Sequence, residues 1–568
     1  MLCEKVQEAG LWNEPSSADR RPGPDWEVFR GDLPRRLQVL ARRRCRAKLH
    51  VLGRVPDAPT SDTYREMLAE GLGASSESLD IAEDLSLTRQ EMSNIAVALS
   101  GGFVAPGPGG SLLRGRRDVL PTGRNLYGID LRRVPTPSAQ EVGEELGRQL
   151  LRSHLEVEGT YPRRVSVALW SSDVFQSEGE VFSQVLWLLG CRPVRDKSGA
   201  VTGVEAVPLA ELAMEDATGS VIARPRVDVM VQMSGVVRDS LPTVWGRIDE
   251  AVRTVADLDE PAGCNYVRAA RDESLERLRQ SFGADESVLR RLATARVFSS
   301  RPGTFGTGVD LQMAASAWND DKDLAETWVN WTGWAYGKDL DGRWKAAGAQ
   351  AGLQEYLKLS EGIEATFQKA VGPEWDALSI TSYAAFQGGM NLAARVAGRR
   401  EPRTWWGATS KREIAVRDLR EEVDEAMGAR LASERWLSER KAEGYQGAIA
   451  LLHLSETLHA WAATAQVVEK RHFDQLTRRV LGDPEMREWL REANPHAMEA
   501  MARRLFEAKE RGLWEADPAE AQLVQEALLE AEGEIEAEAG EMRGEVQGSS
   551  LDILARKDVA EWNNAFTL

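Results

Sequence analysis

"RVSVALW", residues 164–170, is largely apolar and rich in valine, and its apolar residues do not alternate with charged ones. A strand that is buried on both faces of a parallel sheet has this pattern. "RVDVMVQM", residues 226–233, and "KLHVLG", which begins at residue 49, are also short runs rich in valine or leucine that read as buried strands. Segments with helical periodicity lie between and after these runs, at 60–72, 84–99, 137–156, 179–190 and 239–257. Strands that alternate with helices predict an α/β region with a parallel sheet.

The pattern of residue types changes after about residue 265, where short β-branched runs typical of strands become rare. Long amphipathic segments take over, at 266–283, 318–336, 411–442, 443–469 and 484–511. We therefore predict a multi-domain protein with an α/β N-terminal half and a mainly α-helical C-terminal half. The predicted segments are a loosely ordered lead-in (1–33), an α/β region that carries a Gly/Arg loop (34–265), a mixed, mainly helical region with Gly-rich turns (266–410), and a helical region with an acidic tail (411–568).

Composition excludes several classes of protein. The chain of 568 residues has a formal net charge of -18, which disfavours nucleic-acid binding because that affinity comes from neutralised phosphates. It contains no run of about 20 apolar residues, so no membrane span is expected. The N-terminus lacks the apolar core of a signal peptide, and the 4 cysteines form no CxxC pair. A cytoplasmic protein without a disulfide framework or zinc ribbon is expected.

The loop "APGPGGSLLRGRRDVLPTGRN", residues 105–125, combines glycine, proline and arginine in a way that suits an anion. It contains neither the P-loop string G-x-x-x-x-G-K-[ST] nor the dinucleotide pattern G-x-G-x-x-G. The loop therefore lacks the residues with which these motifs bind a nucleotide. Arginine binds a carboxylate through two parallel hydrogen bonds. A ligand with several carboxylates is compatible with this loop, and a surface loop with scattered arginines is the alternative.

Several motifs, taken together and in order, resemble one family. "LPTGRNLYGIDLRRVPTP" (120–137) resembles the signature of the large subunit of cobalt chelatases and of the related magnesium chelatase subunit. Further matching segments lie at 167–194, 226–242, 299–309, 328–337 and 494–514. The resemblance covers roughly residues 49 to 545 and corresponds to the C-terminal part of the family's large subunit.

The resemblance implies a component of an ATP-dependent metallochelatase, which inserts a divalent metal into a tetrapyrrole. Insertion of cobalt into a cobalamin precursor is the preferred reaction, and insertion of magnesium into protoporphyrin is second. Co²⁺ or Mg²⁺ would be a substrate, and no tightly bound cofactor is expected. Because the chain carries no nucleotide motif, ATP would be used by partner subunits, an AAA+ ATPase and an integrin-type motor subunit.

The chain also departs from the family's pattern. An upstream segment with a G-T-H-G…E motif has no counterpart, and the acidic stretch before F-[HQ]-G-G is thinned to "EWDALSITSYAAFQGG", residues 374–389. Gln232 stands where the family usually has an arginine. We therefore expect the chain to be inactive alone and to need a separate polypeptide that supplies the upstream half. The alternatives are a non-catalytic protein that delivers or senses a tetrapyrrole or metal, and a helical scaffold without ligand.

Candidate site residues follow from the matched motifs. Glu178 and Asp239 are the candidate catalytic carboxylates, since metal insertion needs bases for two pyrrole protons. The resemblance assigns tetrapyrrole binding to Arg117, Arg124, Asn125, Tyr127, Arg238, Gly303, Thr304 and Gln387, and it leaves the metal ligands unknown. Structural roles remain open for the same residues: helix N-terminal charge for Glu178 and Glu180, a structural Arg–Asp pair among Asp228, Arg238 and Asp239, and a tight turn for the glycines.

Two further patterns have a structural and a functional interpretation. Trp328, Trp331 and Trp334 are spaced i, i+3, i+6, which predicts one side of a helix that is either buried or stacked on a tetrapyrrole. His453, Glu456 and His459 in "HLSETLH" share one helix face, but they lack the i, i+4 histidines of the H-E-x-x-H zinc motif.

Overall fold

The computed structural model describes residues 90–107, 120–124, 129–216, 218–281, 283, 285–338, 349–371, 375–398, 400–409 and 414–539. The chain divides into two compact units, Met1–Asp130 and Leu131–Leu568. In the first unit, helix α1 spans Gln90–Leu99. The loop residue Gly123 lies against this helix, because a Cβ at Gly123 would approach the Cα of Glu91 to 2.6 Å. The sequence-based boundaries near residues 33, 265 and 410 stay predictions.

The second unit is built around a mixed sheet. Seven strands form it in the order β11-β10-β9-β1-β6-β7-β8, and β10, β9, β1, β6 and β7 run parallel while β11 and β8 pair antiparallel at the two edges. Two short antiparallel pairs, β2–β3 and β4–β5, lie outside this sheet. The strands are β1 Arg164–Leu169, β2 Cys191–Arg195, β3 Val201–Ala206, β4 Ala213–Glu215, β5 Val221–Ala223, β6 Asp228–Met233, β7 Val297–Ser299, β8 Trp334–Tyr336, β9 Ala365–Lys369, β10 Arg403–Ala408 and β11 Ala415–Asp418.

Helices connect these strands and make up the end of the described chain. Their bounds are α2 Pro137–Glu158, α3 Ser171–Ser177, α4 Glu180–Leu188, α5 Gly235–Ser240, α6 Pro242–Ala256, α7 Tyr266–Ser281, α8 Glu286–Ala293, α9 Val309–Ala314, α10 Asp321–Thr332, α11 Ala349–Glu361, α12 Thr381–Tyr383, α13 Gly389–Gly398, α14 Leu419–Leu431, α15 Glu434–Ala442, α16 Tyr445–Ala465, α17 Lys470–Leu476, α18 Pro484–Ala493, α19 Pro495–Glu510 and α20 Pro518–Ala539. Single π-helical turns, Ala384–Gly388 and Thr477–Leu481, follow α12 and α17.

The strands predicted at 164–170 and 226–233 are confirmed as β1 and β6, and both are buried along their whole length. A clean split into an α/β half and a helical half is not confirmed, because β7 to β11 all follow residue 265 and join the same sheet. The segment 419–539 is helical, as expected. The strand predicted from residue 49 lies outside the described residues.

One continuous hydrophobic core joins the sheet to the C-terminal helices. It runs from Met230 in β6 and Phe298 in β7, through Trp461 in α16, to Leu505 in α19. The helical end of the chain therefore packs on the sheet and does not form a core of its own. Among the described residues, no helix combines the length and the apolar character needed to cross a lipid bilayer.

The paired glycines of the "FQGG" motif are explained by close packing. A Cβ on Gly388 would lie 2.0 Å from Oγ1 of Thr464, and a Cβ on Gly389 would lie 2.1 Å from Cε3 of Trp328. Trp328 cannot retreat easily, because it is fully buried and its Nε1 donates a hydrogen bond of 2.9 Å to the Tyr356 hydroxyl.

Gly389→Ala is therefore expected to lower the free energy of unfolding by about 1–3 kcal/mol, the usual penalty for overpacking a dense core. Gly428→Ala is the matched control: Gly428 lies in α14, is exposed, and has no atom within 4 Å of a built Cβ. The control variant should be unchanged or more stable by roughly 0.5–1 kcal/mol, because alanine favours a helix over glycine. Urea denaturation of both variants measures the difference, and equal stability of the two would contradict the packing explanation.

Candidate functional site

The order of the parallel strands creates a switch point between β1 and β9. From β1 the chain proceeds to β6 and β7 on one side of the sheet, and it then returns to place β9 and β10 on the other side. In open α/β sheets, ligands bind in the crevice outside the carboxyl ends of the strands at such a point. The loops after β1, β6, β7, β9 and β10 all emerge at this edge, which we call the carboxyl edge.

A small, shallow cleft with about 10 Å³ of enclosed space lies at the switch point. Its walls come from the end of β1, the start of α3 and α4, and the end of β9. The lining residues are Ala168, Trp170, Ser172, Asp173, Val181, Lys369, Ala370 and Val371. Trp170 is fixed by its Nε1, which donates a hydrogen bond of 3.2 Å to Oε1 of Gln368, and by the ring of Phe386, with 4.4 Å between the two centroids.

A buried group of polar side chains supports this cleft. We call Asp173, Ser177, Glu180, Lys369 and Thr409 the switch-point cluster. The ammonium of Lys369 lies 3.1 Å from Oδ1 of Asp173 and 2.7 Å from Oε2 of Glu180, and it donates a hydrogen bond of 2.7 Å to Oγ of Ser177. The hydroxyl of Thr409 donates a hydrogen bond of 2.8 Å to the same oxygen of Glu180.

The cluster ties the loop after β1 to the strands on the other side of the switch point. Oδ1 of Asp173 also accepts the amide of Val181 at 2.9 Å, so this carboxylate holds the start of α4. The side chains of Lys369, Asp173 and Glu180 are only 4%, 3% and 2% exposed. Buried charges persist when they are paired and hydrogen-bonded, and here these bonds fix the shape of the cleft wall.

A second group lies at the carboxyl ends of β6 and β7. The guanidinium of Arg238 forms two hydrogen bonds of 2.6 Å with the carboxylate of Asp239. Its Nη1 donates to the backbone oxygens of Ser300, Arg301 and Thr304 at 3.0, 2.6 and 3.0 Å. The Arg238 side chain is 2% exposed. The structure therefore uses this guanidinium to fix the turn after β7, and little of it is left to meet a ligand.

The same contact changes the chemistry of Asp239. Its hydrogen bonds with Arg238 hold the pKa of the carboxyl below its ordinary value. A carboxylate with a lowered pKa is ionised at neutral pH but is a weak base, since efficient general bases have a pKa near the working pH. The carboxylate is 42% exposed, so it can still meet a cation at the surface.

The structure brings four of the predicted site residues together: Arg238, Asp239, Gly303 and Thr304 share the turn after β7 and its anchor. Gly303 adopts a φ of 77°, which a residue with a side chain rarely does. Glu178 lies in the loop after β1 and ends α3 with a φ of 57°. Its Oε2 accepts a hydrogen bond of 2.9 Å from Thr136, the residue that caps α2. Its assignment to catalysis stays a prediction.

The remaining predicted ligand contacts lie elsewhere. Gln387 is fully buried in the core, where its Nε2 donates a hydrogen bond of 3.0 Å to the backbone oxygen of Trp405. Arg124 is exposed in the first unit, and its backbone oxygen accepts the amide of Gly107 at 2.7 Å. Arg117, Asn125 and Tyr127 lie outside the described residues.

The tryptophan series does not lie on one helix. Helix α10 ends at Thr332, and Trp334 begins strand β8. Trp328 is in the core and Trp331 packs on Gly308. These two residues therefore pack within the protein, as the buried-stripe interpretation predicts. Trp334 is half-buried near the carboxyl edge.

The histidine pattern on α16 does not form a metal site. His453 is exposed, whereas His459 is 1% exposed and lies against the ring of Trp318. Burial lowers the pKa of His459 to about 3, which keeps the ring neutral. Because the two histidines face different surroundings, they do not converge on one ion.

Sequence comparison identifies the family. Residues 71–521 match the family described as CobN/magnesium chelatase. The chain belongs to the CobN/magnesium chelatase family. It is 32% identical over 536 residues to the aerobic cobaltochelatase subunit CobN of Pseudomonas aeruginosa, which is 94% of this chain and 41% of that protein. It is 31% identical over 457 residues to the chloroplastic magnesium-chelatase subunit ChlH of Oryza sativa subsp. indica, which is 80% of this chain and 31% of that protein.

Structural comparison agrees with this family. The solved catalytic subunit of cobaltochelatase from Mycobacterium tuberculosis superposes with a TM-score of 0.74 at 33% sequence identity, and the match covers 93% of this chain and 42% of that one. This member of the CobN/magnesium chelatase family therefore spans less than half the length of the relatives it matches.

Proposed function

We propose that this chain is a large-subunit-type component of a metallochelatase, which binds a tetrapyrrole into which a divalent metal is inserted. The observation that carries the proposal is the carboxyl edge: its loops come from the segments that match the chelatase family, and they meet at a switch point of the sheet. The similarity to subunits named for cobaltochelatase and magnesium chelatase supports the same role.

Cobalt is the metal that we propose first and magnesium the second. The match to the Pseudomonas cobaltochelatase subunit extends over 94% of this chain, whereas the match to the rice magnesium-chelatase subunit extends over 80%. We further propose that the protein acts in the cytoplasm and that ATP is used by partner subunits, an AAA+ ATPase and an integrin-type motor subunit. The metal ion is a substrate in this scheme.

The small size of the cleft supports a role for further parts of the family's large subunit at this edge. Pockets for compact organic ligands usually measure roughly 300–1,000 Å³, whereas the enclosed space in the cleft between β1 and β9 is about 10 Å³, roughly enough for one water molecule. We propose that the part of the family's large subunit that this chain does not span covers the carboxyl edge and completes the cavity. Glu178 and Asp239 are then the carboxylates that this chain offers to the pyrrole protons or the incoming metal.

A non-catalytic binder remains the second candidate function. One observation favours it: the lowered pKa of Asp239 makes this carboxylate a poor acceptor of a pyrrole proton. Such a protein would hold a tetrapyrrole at the same edge and deliver or sense it. Metallation by the chain together with its partner subunits, read from the absorbance change, separates the two functions.

Macrocycle binding tests what both functions share. We expect protoporphyrin IX and a carboxylated corrinoid precursor to quench the tryptophan fluorescence of the purified chain saturably. Ser172→Trp should block this effect, because Ser172 lines the cleft. Ser438→Trp is the matched control, on the exposed face of α15. Absence of binding by both macrocycles would refute the proposed function, and equal binding by the two variants would place the ligand outside the cleft.

A further inference from the structure

Exposed apolar side chains occur in the segments that follow β1, β6 and β7 at the carboxyl edge. Phe175 follows β1, Val236 follows β6, and Phe305 and Leu311 follow β7; they are 49%, 40%, 58% and 62% exposed. These strands are neighbours in the sheet, and neighbouring strands lie about 4.8 Å apart. We call these four residues the apolar rim. Apolar side chains that are exposed singly are common, but several in one place mark a binding surface.

The turn after β7 holds part of this rim in a fixed position. A Cβ on Gly235 would lie 2.8 Å from Cδ1 of Phe305, so the ring rests directly on the backbone at the start of α5. The guanidinium carbon of Arg238 lies 5.7 Å from the centroid of the same ring. One side of the Phe305 ring therefore rests on the backbone of Gly235, and the rest of the ring remains exposed.

Arg301 lies in the same turn and has no carboxylate partner among the described residues. Its side chain is exposed, and its guanidinium carbon lies 5.3 Å from the ring centroid of Trp334. Trp334 is itself fixed by its Nε1, which donates a hydrogen bond of 3.2 Å to the backbone oxygen of Asn330. The backbone oxygen of Arg301 accepts the 2.6 Å bond from Arg238. Arg301 thus has a fixed backbone, a guanidinium that is placed over an aromatic ring, and donors that no carboxylate in the described part of the chain uses.

We propose that Arg301 binds a peripheral carboxylate of the macrocycle while the apolar rim contacts the ring, an inference that rests on the proposed function. A planar apolar ligand that carries carboxylates needs an apolar surface and a cation side by side, and the turn after β7 offers both. Arginine stacked on an aromatic side chain loses little conformational freedom on binding a carboxylate. Arg238, which the motif assigned to the ligand, is instead a positioning residue for this turn.

The test removes the guanidinium of Arg301 by substitution and, separately, the negative charge of the macrocycle carboxylates by esterification. Each acidic macrocycle, protoporphyrin IX and the carboxylated corrinoid precursor, is titrated beside its methyl ester into wild type, Arg301→Ala, Arg301→Lys and Arg435→Ala. Arg435 is the matched control, since it is 74% exposed on α15 and pairs with Glu439. We expect the wild type and the control to prefer the acid over the ester by roughly tenfold or more, the value of a charge-assisted hydrogen bond.

Arg301→Ala should weaken acid binding by the same factor and leave ester binding unchanged, so that the preference disappears. Arg301→Lys should keep part of the preference, because the charge remains. If the wild type binds neither acid, the proposed function fails and this inference fails with it. If the wild type binds and Arg301→Ala still prefers the acid, the proposed function stands and the role of Arg301 is refuted. Circular dichroism melting of each variant confirms that the exposed substitutions leave the fold intact.

Discussion

Asp228→Ala is expected to lower the free energy of unfolding by about 3–5 kcal/mol, the cost of removing one partner from a buried ion pair. The carboxylate of Asp228 lies at the amino end of β6, where its two oxygens are 2.6 Å from Nε of Arg164 and 2.7 Å from Nε of Arg296. The side chains of Asp228 and Arg296 are each 1% exposed. Burial lowers the pKa of Arg296, which shows how unfavourable this guanidinium would be without a neighbouring anion.

Urea denaturation followed by circular dichroism measures the effect of this substitution. Asp259→Ala is the control, because its carboxylate pairs with Arg268 but is fully exposed to solvent. The control should unfold at the same urea concentration as the wild type. If Asp228→Ala unfolds like the control, then Asp228 does not hold the two arginines together. Asp228 lies at the opposite end of its strand from the carboxyl edge, so macrocycle binding by the folded variant should persist.

The sequence identified the two strands that are richest in valine. β1 and β6 have valine-rich runs, and such runs indicate strands without knowledge of their neighbours. β9 is equally buried, but it contains Thr366, Gln368 and Lys369, whose polarity hides the pattern. These polar side chains form hydrogen bonds with residues that are distant in the sequence: Thr366 donates a hydrogen bond of 2.7 Å to Asn391, and Trp170 donates one to Gln368.

The candidate site was predicted in part for the same reason. The motifs located the loops after β1, β6 and β7, but they could not show which side chains of those loops are already engaged. The motif assigned Arg238 to the ligand, with a structural Arg–Asp pair as the alternative, and the guanidinium is almost fully used by Asp239 and the turn after β7. Lys369 was not singled out, because its carboxylate partners lie 196 and 189 residues away. The local sequence around Lys369, "ATFQK", mixes apolar and polar residues and carries no signal of a buried ion pair.

Lys369→Met is expected to cost about 3–5 kcal/mol of stability as well, and it should also weaken macrocycle binding. The substitution keeps the length of the side chain but leaves the buried carboxylates of Asp173 and Glu180 without the ammonium between them. Two like charges in a low-dielectric site repel each other and lack their solvation. The loop after β1 should then move, and with it Trp170 and Ser172, which line the cleft.

Urea denaturation and macrocycle titration of Lys369→Met, Glu180→Gln and the double variant measure this coupling. The double variant should be more stable than the sum of the single changes predicts, by roughly 0.5–3 kcal/mol, since it removes one of the two carboxylates that repel each other once the ammonium is gone. Lys358→Met is the matched control: its side chain is 58% exposed on α11 and pairs with Glu361, so it should cost less than about 1 kcal/mol. Additive losses in the double variant would show that Lys369 stabilises the chain without pairing with Glu180. Unchanged macrocycle binding by folded Lys369→Met would show that the switch-point cluster does not shape the ligand site, because its loss would then leave the cleft wall in place.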